Sequence, residues 1–188
     1  MVNRHTELLA AARAGDRDAL AVLWRDHHPA LLRYLRARRS PAPDDVASQV
    51  WIDVARSIDR FEGDLTDFRR WLFTIAHRRS VDEIRRLVRS AEPSALSVRA
   101  ADRVAGADEQ YEHHTALDRA IALVATLPDA QAEAVMLFVV NELPAADVAE
   151  IMQTTEGNVR VLVHRGVTRL RRRMSVTDAS SPTMKRVP

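Results

Sequence analysis

Residues 143–174 read LPAADVAEIMQTTEGNVRVLVHRGVTRLRRRM, and this stretch decides the fold of the last part of the chain. Two short helical patterns flank a polar break at 153–155. The second pattern runs into a set of arginines, with no acidic residue between 160 and 173. A helix, a tight turn and a basic second helix predict a helix-turn-helix, whose second helix can lie in the major groove of DNA. The stretch therefore indicates a DNA-binding protein.

The predicted second helix has an apolar face and a polar face. At about 100° per residue, a buried stripe centred on Val163 includes Val159, Gly166, Val167 and Leu170. The residues predicted to contact DNA lie on the other side or at the start of the helix: Thr155, Gly157, Asn158, Arg160, Val161, His164 and Arg165.

Several of these positions have a chemistry that suits the groove. Arg165 can bond guanine or a phosphate, Asn158 can read adenine, and Val161 can contact a thymine methyl group. Thr155 is placed to cap the helix, and Gly157 lets a phosphate approach the backbone closely. The competing interpretation is an arginine-rich helix that merely faces solvent, because helix-turn-helix spacing alone is a moderate signal.

The composition of the whole chain favours an all-helical protein. The 188 residues are 46% hydrophobic, enough to bury one sizeable core or two small ones, and alternating strand-like runs are essentially missing. We therefore predict an all-α fold with two small helical domains at 5–89 and 111–174. A flexible linker at 90–110 is predicted to join them, and a disordered tail is predicted at 175–188.

Local signals divide these two domains into helices. Gly15 closes a first short helix, Asp16 can cap the next, and Pro29 is predicted to begin another at its first turn. Asp44 opens a helix that runs to about residue 57. The further helices are predicted at about 66–88, 111–126, 129–140, 144–152 and 155–174.

Charge is distributed unevenly along the chain. The net charge is only +2, yet residues 69–89 hold seven arginines against two acids, and residues 160–173 hold six arginines and no acid. Two separate basic surfaces indicate two contacts with a polyanion.

The sequence also indicates the cellular compartment in which the protein is expected. The absence of cysteine excludes disulfides and thiolate metal sites, and is compatible with a reducing cytoplasm. The longest purely apolar run, at 134–140, is far shorter than the roughly 20 residues that span a bilayer. The first residues lack the apolar stretch of a signal peptide. We expect a cytoplasmic protein without membrane insertion.

Residues 60–86 read RFEGDLTDFRRWLFTIAHRRSVDEIRR, which combines aromatic residues with a basic helix. This stretch resembles the promoter-melting segment of bacterial RNA polymerase sigma factors of the extracytoplasmic-function group, within the sigma-70 family. The matching positions are Arg60, Phe61, Gly63, Phe68, Trp71, Leu72, Ile75, Ala76, Asp82, Arg85 and Arg86.

Residues 127–172 resemble the second DNA-binding domain of the same family. The signature pairs are Leu127-Pro128, Glu156-Gly157 and His164-Arg165, followed by the closing Leu170. Together the two resemblances cover about residues 5–174, in the family's order and spacing. They imply one sigma-2-like bundle and one sigma-4-like helix-turn-helix domain.

The resemblance implies an alternative sigma factor that binds core RNA polymerase and directs promoter-specific transcription initiation. In this family the first domain binds core polymerase and opens the −10 element, while the second domain reads the −35 element. The implied partners are the clamp of the largest polymerase subunit, promoter DNA and an anti-sigma factor, by which family members are commonly held.

The helix at 44–57 corresponds to the family's polymerase-binding helix. The residues assigned to that contact are Asp44, Asp45, Ser48, Gln49 and Asp53. Their acids suit a basic partner surface, and an amphipathic helix can pack on a helical hairpin. A role at the helix N-terminus explains Asp44 and Asp45 without any partner, but it does not explain Asp53.

The loop at 61–68 corresponds to the segment that captures a flipped base, and the basic helix after it can follow backbone phosphates. The residues assigned to −10 binding and melting are Phe61, Gly63, Asp64, Phe68, Arg69, Trp71, Arg78, Arg79, Arg85 and Arg86. Among these, Phe68 and Trp71 are more readily explained as core residues that hold the loop. Asp82 is better placed to order a neighbouring arginine than to contact DNA.

The chain departs from the family pattern at several positions. Ser48-Gln49 replaces a usual Gln-acid pair, and Arg78 replaces a common Asn. Gln153 stands at a turn position often filled by glycine. Val161-Leu162 replaces two polar groups of the reading segment, so we expect a −35 preference that differs from the commonest family motif.

Two other classes of function compete with this interpretation. For an enzyme, the His27-His28 and His113-His114 pairs suggest metal ligation, but adjacent helical residues point about 100° apart and do not converge on one ion. No Gly-rich phosphate loop or nucleophile motif occurs, so we predict no catalytic role, no metal and no cofactor. The second alternative is a helix-turn-helix regulator that does not act as a sigma subunit, and it has no use for residues 60–86.

Overall fold

The computed structural model describes residues 4–90 and 116–179, and all regular structure in these ranges is helical. The amino-terminal bundle (residues 4–90) contains α1 (Arg4–Arg13), α2 (Arg17–Ala37), α3 (Pro43–Ser57), a 3-10 turn (Ile58–Arg60) and α4 (Leu65–Ser90). The carboxy-terminal bundle (residues 116–179) contains α5 (Ala116–Ala125), α6 (Asp129–Val135) with a π-helical extension (Met136–Val140), α7 (Ala145–Ile151) and α8 (Glu156–Ala179). The predicted all-α fold with two helical domains is confirmed. Residues 91–110 of the predicted linker lie outside the described residues.

The core of the amino-terminal bundle forms where α2, α3 and α4 face one another. The buried side chains are Leu23, Leu31, Tyr34 and Leu35 of α2, Val46, Val50, Trp51 and Val54 of α3, and Phe68, Leu72, Phe73 and Ala76 of α4. Burying one large apolar side chain contributes roughly 1.5–3 kcal/mol. Packing between the three helices therefore holds the loop and the basic surface of α4 in fixed positions.

The prediction that a new helix begins at Pro29 is wrong, because α2 runs without interruption from Arg17 to Ala37. Pro29 is exposed, so its ring does not disturb the core, although it removes one backbone hydrogen bond. Leu23 and Tyr34 lie on the same side of one continuous helix, and both are fully buried. Burial of this shared stripe outweighs the local preference of proline for a first turn.

The core of the carboxy-terminal bundle is built around α6, whose residues 131–137 are all buried. α8 crosses α6 at Gly166, which is buried. A Cβ atom at this position would lie 2.8 Å from Cγ2 of Val135 and 3.5 Å from the backbone oxygen of Gln131. The missing side chain therefore lets the two helices approach closely. This contact fixes α8 on one side and leaves its opposite face open.

The predicted start of α8 is confirmed, but the helix ends later than predicted. Thr155 Oγ1 accepts a hydrogen bond from the backbone N–H of Asn158 at 3.2 Å, as an N-cap does. The tail was predicted to begin at 175, yet α8 continues to Ala179. The sequence contains no glycine or proline between Gly166 and Pro182 that would end the helix earlier. Residues 180–188 lie outside the described residues.

The turn between α7 and α8 forms a Schellman motif with a glutamine in the left-handed position. The N–H of Thr154 donates to the oxygen of Ala149 at 2.9 Å, and the N–H of Gln153 donates to Glu150 at 3.2 Å. Gln153 has a φ of 52°, a conformation that glycine adopts without strain.

We expect Gln153→Gly to raise the free energy of unfolding by up to about 1 kcal/mol, because it relieves the left-handed strain. Urea denaturation measures the change. Gln49→Gly, at an exposed position inside α3, is the matched control and should lower stability by about 1 kcal/mol. A less stable Gln153→Gly chain would contradict the strained turn.

None of the helices in residues 4–90 and 116–179 combines the length and apolar character that crossing a bilayer requires. Within these same ranges, no three His, Asp or Glu side chains converge in the manner of metal ligands.

Candidate nucleic-acid interface

An aromatic cluster lies under the loop that joins the 3-10 turn to α4. The ring of Phe61 stacks on Trp71 with centroids 5.1 Å apart, and Phe68 meets both rings edge-on at 5.9 Å. Phe68 is fully buried and Phe61 is nearly so, whereas Trp71 is half-buried. The cluster anchors the loop from below. Trp71 is the member of the cluster whose ring is partly exposed to solvent.

The loop itself is ordered by a reciprocal cap at the start of α4. Asp64 Oδ1 accepts from the N–H groups of Thr66 at 2.7 Å and Asp67 at 3.1 Å. Asp67 Oδ2 accepts from the N–H of Asp64 at 3.0 Å, which completes a capping box. The backbone N–H groups of Asp67 and Thr66 lower the pKa of the Asp64 carboxyl below its usual value. An ionised carboxylate therefore stands at the tip of a pre-ordered loop.

Gly63 is required at the bend of this loop. Its φ is +134°, and a Cβ atom there would lie 2.6 Å from both Cβ and Oδ2 of Asp67. The neighbouring Arg13 donates from Nη1 to the backbone oxygen of Phe61 at 3.3 Å. These contacts hold the predicted melting residues Phe61, Gly63 and Asp64 in one compact segment.

The arginines of α4 differ in what they contact. Arg78 is exposed, whereas Arg86 makes two hydrogen bonds to Glu83, at 2.7 and 3.0 Å. Arg85 Nη1 lies 3.8 Å from Asp82 Oδ1, so Asp82 has a neighbouring arginine as its partner. The Arg85–Asp82 pair is solvent-exposed and worth little, so a phosphate can replace its carboxylate at small cost.

Arg79 pairs with a residue predicted to bind polymerase. Its Nε and Nη2 donate to the two carboxylate oxygens of Asp53 at 2.5 and 2.6 Å. These hydrogen bonds raise the pKa of the Arg79 guanidinium. The pair joins α3 to α4 and so connects the predicted polymerase surface to the predicted DNA surface. Sequence reasoning missed this contact because the two residues are 26 positions apart and no local pattern links them.

The outer face of α3 carries the other predicted polymerase contacts. Asp44, Asp45, Ser48 and Gln49 are all exposed, and Ser48 Oγ donates to the backbone oxygen of Asp44 at 2.9 Å. Ile52 lies one turn further along and is 39% exposed. This exposed face therefore combines one apolar side chain with acidic and polar ones. The sequence analysis did not single out Ile52.

α8 presents the predicted reading face to solvent. The buried stripe is confirmed, since Val159 and Gly166 are buried while Val163, Val167 and Leu170 pack against the core. The residues of the opposite side are exposed: Asn158, Arg160, Val161, His164 and Arg165.

Two of these exposed side chains have partners near the start of α8. Arg160 Nη2 lies 2.8 Å from Glu156 Oε2, and Asn158 Nδ2 donates to Thr154 Oγ1 at 2.9 Å. Both contacts are exposed and open to exchange with DNA groups. Val161 is 44% exposed, so its methyl groups are accessible for contact with a base methyl group.

The structure also brings α4 against the carboxy-terminal bundle. Arg69 donates from Nη2 to the backbone oxygen of Asn141. Arg70 Nη1 lies 3.7 Å from Asp147 Oδ1 and 3.9 Å from Glu150 Oε2, both on α7. Part of the predicted −10 surface therefore faces the other bundle, which the sequence did not predict.

Both halves of the chain match models of known families. Residues 23–90 match the model described as "Sigma-70 region 2", and residues 117–170 match "Sigma-70, region 4". The first match covers α4 and its loop, and the second covers α5 to most of α8.

The chain is similar along most of its length to curated relatives. It is 30% identical to ECF RNA polymerase sigma factor ShbA of Streptomyces griseus over 175 residues, which cover 87% of this chain and 92% of the relative. It is 32% identical to ECF RNA polymerase sigma factor SigD of Mycobacterium tuberculosis over 171 residues, which cover 87% and 81%. A solved structure of CnrH in complex with the cytosolic domain of CnrY shares the fold. It has a TM-score of 0.59 at 20% identity, and the match covers 95% of this chain and 100% of that one.

Proposed function

The chain belongs to the extracytoplasmic-function RNA polymerase sigma factors, which direct transcription initiation, and we propose that its two bundles divide this task between them. Sigma factors are initiation factors rather than enzymes. In the proposal, the domain at 5–89 binds core polymerase and opens the −10 element. The domain at 111–174 reads the −35 element and has no catalytic activity.

The observation that carries the proposal is the pre-ordered loop at 61–64. A capping box, a required glycine and an aromatic cluster all hold this segment, although it lies at the surface. Extruding a base from duplex DNA costs a few kcal/mol, and a loop that is ordered beforehand adds no ordering cost of its own. A repressor or activator that uses only its helix-turn-helix has no need of such a loop.

In the proposed −10 interface, the loop and α4 act on different parts of the DNA. The Phe61 backbone, Gly63 and the Asp64 carboxylate offer polar groups to an extruded base, and Trp71 offers the edge of a ring. Phe68 acts from the core by holding the loop in place. The exposed arginines Arg78, Arg85 and Arg86 follow the phosphates, whereas Arg69 and Arg79 can join them only by leaving Asn141 and Asp53.

In the proposed −35 interface, α8 enters the major groove with its exposed face. Arg165 contacts guanine or a phosphate, Val161 contacts a thymine methyl group, and His164 lies beside them. Thr155 and Gly157 at the helix start approach a phosphate, where the backbone N–H groups favour an anion. Leu162 is half-buried, so Val161 is the departure from the family pattern that faces the groove.

The proposed contact with core polymerase is the outer face of α3. Asp44, Asp45, Ser48 and Gln49 form its exposed part, with Ile52 as an apolar neighbour. Asp53 contributes through its pair with Arg79, which ties this face to α4. The partner surface is a basic helical hairpin on the clamp of the largest subunit.

Two further assignments follow from family membership. We place the protein in the cytoplasm, where RNA polymerase acts. The structure of CnrH is that of a complex with the cytosolic domain of CnrY, and we propose that an anti-sigma protein binds this chain.

In vitro transcription tests the proposal. Core RNA polymerase, genomic DNA fragments and the purified chain should give discrete start sites that share upstream −10 and −35 sequences. Core polymerase without the chain should give none of these sites. The regulator alternative predicts start sites that depend on another sigma factor. Absence of promoter-specific initiation with an active core enzyme would therefore contradict the proposed function.

A further inference from the structure

A charged pair joins α3 to α4 at the place where α4 leaves the core of the amino-terminal bundle. Arg79 Nε and Nη2 donate to the two carboxylate oxygens of Asp53 at 2.5 and 2.6 Å. A bidentate arrangement of this kind restricts the relative orientation of the two groups as well as their distance. We call Asp53 and Arg79 the interhelix pair.

Neither member of the interhelix pair is well placed for a direct contact with a macromolecule. The side chain of Asp53 is 24% exposed, against 67% for Asp44 on the outer face of α3. The side chain of Arg79 is 40% exposed, against 70% for Arg85. Both carboxylate oxygens of Asp53 and two of the three guanidinium nitrogens of Arg79 are already bonded. The pair is therefore set back from both proposed binding surfaces.

The pair stands just before the part of α4 that carries exposed arginines. Ser80 is the last buried residue of α4, and residues 81–89 are half-buried or exposed. Core packing, which holds the helix between Phe68 and Ser80, therefore contributes little to the direction of this last part. Arg85 and Arg86 lie within it, and Arg86 is about 10 Å along the helix from Arg79. A restraint at Arg79 thus determines where these arginines lie relative to α3.

The other end of the pair lies on the helix proposed to bind polymerase. Asp53 directly follows Ile52 and lies one turn after Gln49, and both of these residues are exposed on the outer face of α3. The opposite side of the same helix is fixed in the core by Val50 and Val54. The polymerase face and the arginines of α4 are therefore connected through one rigid helix and one bidentate pair, which is a contiguous physical route for coupling.

We propose that Asp53 and Arg79 are positioning residues for promoter opening, and that the interhelix pair holds the arginines of α4 at a fixed position relative to the polymerase face of α3. This inference rests on the proposed function. The pair stays intact in the initiation complex, so neither residue contacts polymerase or DNA itself. A change in either residue then impairs promoter opening without weakening the binding of core polymerase.

The distance between α3 and the end of α4 tests the pair in the free chain. The chain has no cysteine, so spin labels can be attached at Ala55→Cys and Val88→Cys, which are exposed positions on the two helices. Pulsed electron paramagnetic resonance should give a narrow distance distribution for the labelled wild type. We expect Asp53→Asn and Arg79→Gln each to broaden it. The exchange of the two charges, Asp53→Arg with Arg79→Asp, should restore the narrow distribution.

Glu83 and Arg86 provide the matched control for this measurement. They form a bidentate pair at 2.7 and 3.0 Å, but both residues belong to α4. Glu83→Gln removes one carboxylate charge, as Asp53→Asn does, and should leave the distance distribution unchanged because no second helix is involved.

Promoter opening gives a second readout, measured by permanganate reactivity of −10 thymines with core polymerase. Asp53→Asn and Arg79→Gln should each lower opening by about 2- to 30-fold, the range for residues that couple two sites without contacting either ligand. The affinity for core polymerase, measured by fluorescence anisotropy, should stay unchanged. The charge exchange should recover most of the lost opening, because opposite charges again face each other across the two helices.

A direct contact predicts the reverse result for the charge exchange. It would place a carboxylate beside the DNA and a guanidinium beside a basic polymerase surface, so the exchanged chain would open DNA less well than either single variant. The exchange Glu83→Arg with Arg86→Glu shows this behaviour in the same helix, since Arg86 is proposed to follow a phosphate.

The inference is overturned if folded Asp53→Asn and Arg79→Gln keep the wild-type distance distribution, or if the exchanged chain opens DNA no better than they do. A loss of core affinity in Asp53→Asn as large as its loss of opening also overturns it, because Asp53 would then contact polymerase directly. Circular dichroism verifies that each variant is folded. A wild type that opens no promoter contradicts the proposed function, while the distance measurement still decides whether the pair holds α4.

Discussion

Arg165→Ala should weaken binding of the −35 duplex by about 5- to 150-fold, the effect of losing one good base or phosphate contact of 1–3 kcal/mol. Arg165 is exposed on the side of α8 that faces away from the buried stripe. It lies one turn after Val161, so both reach the same segment of the groove. Fluorescence anisotropy with a labelled −35 duplex at fixed salt measures the loss.

The salt dependence of binding separates the two possible contacts of Arg165. A base contact relaxes specificity at one position, whereas a phosphate contact weakens all sequences alike and reduces the salt slope by about one. Arg172→Ala is the matched control, because it removes an exposed arginine about 10 Å further along the same helix. Arg172→Ala should lower only the salt-dependent part of the affinity for the −35 duplex. Unchanged binding by Arg165→Ala would show that the groove-facing assignment is wrong.

Phe68→Ala should lower the free energy of unfolding by about 3–5 kcal/mol, the cost of removing a fully enclosed aromatic ring. The ring contacts Phe61 and Trp71 edge-on and lies 5.4 Å from the ring of His27. Its removal leaves a cavity directly under the loop at 61–64. Promoter opening should therefore decline at temperatures where the rest of the chain is still folded. Denaturation by urea gives the stability, and permanganate reactivity of −10 thymines gives the opening.

Phe138→Ala provides the control for this experiment. Phe138 is 36% exposed, so the same substitution should cost clearly less there. Phe68→Leu should recover much of the lost stability because it refills part of the cavity. If Phe68→Ala keeps its stability and still fails to open DNA, the ring acts on the base directly and its assignment to the core is wrong.

The features that sequence predicted well are local ones. The stripe around Val163 and the cap at Thr155 depend on residues within a few turns of the same helix, so periodicity and capping chemistry reveal them. The resemblance to the family also marked Gln153 as a turn position often filled by glycine, and its φ is 52°. The prediction of two helical bundles rested on a break in apolar periodicity and on two separate basic segments.

The features that sequence did not predict depend on distant partners. Proline at 29 favours a helix start, and only the packing of both halves of α2 against the same core overrides that preference. Glu133 has no local feature that marks it as buried. Its partners Tyr34 and His77 are 99 and 56 residues away. The sequence does not reveal the pairing of Asp53 with Arg79 either, because the two residues are 26 positions apart.

The most direct test of the account is permanganate footprinting on a promoter whose start site has been mapped. We predict that thymines near −10 become reactive only when core polymerase and the chain are both present. Reactivity should be lost when either the −10 or the −35 sequence is scrambled. The central claim is that one chain reads both elements and opens the −10 element. It would be contradicted if the chain, with active core polymerase, protected the −35 element but left the −10 thymines paired.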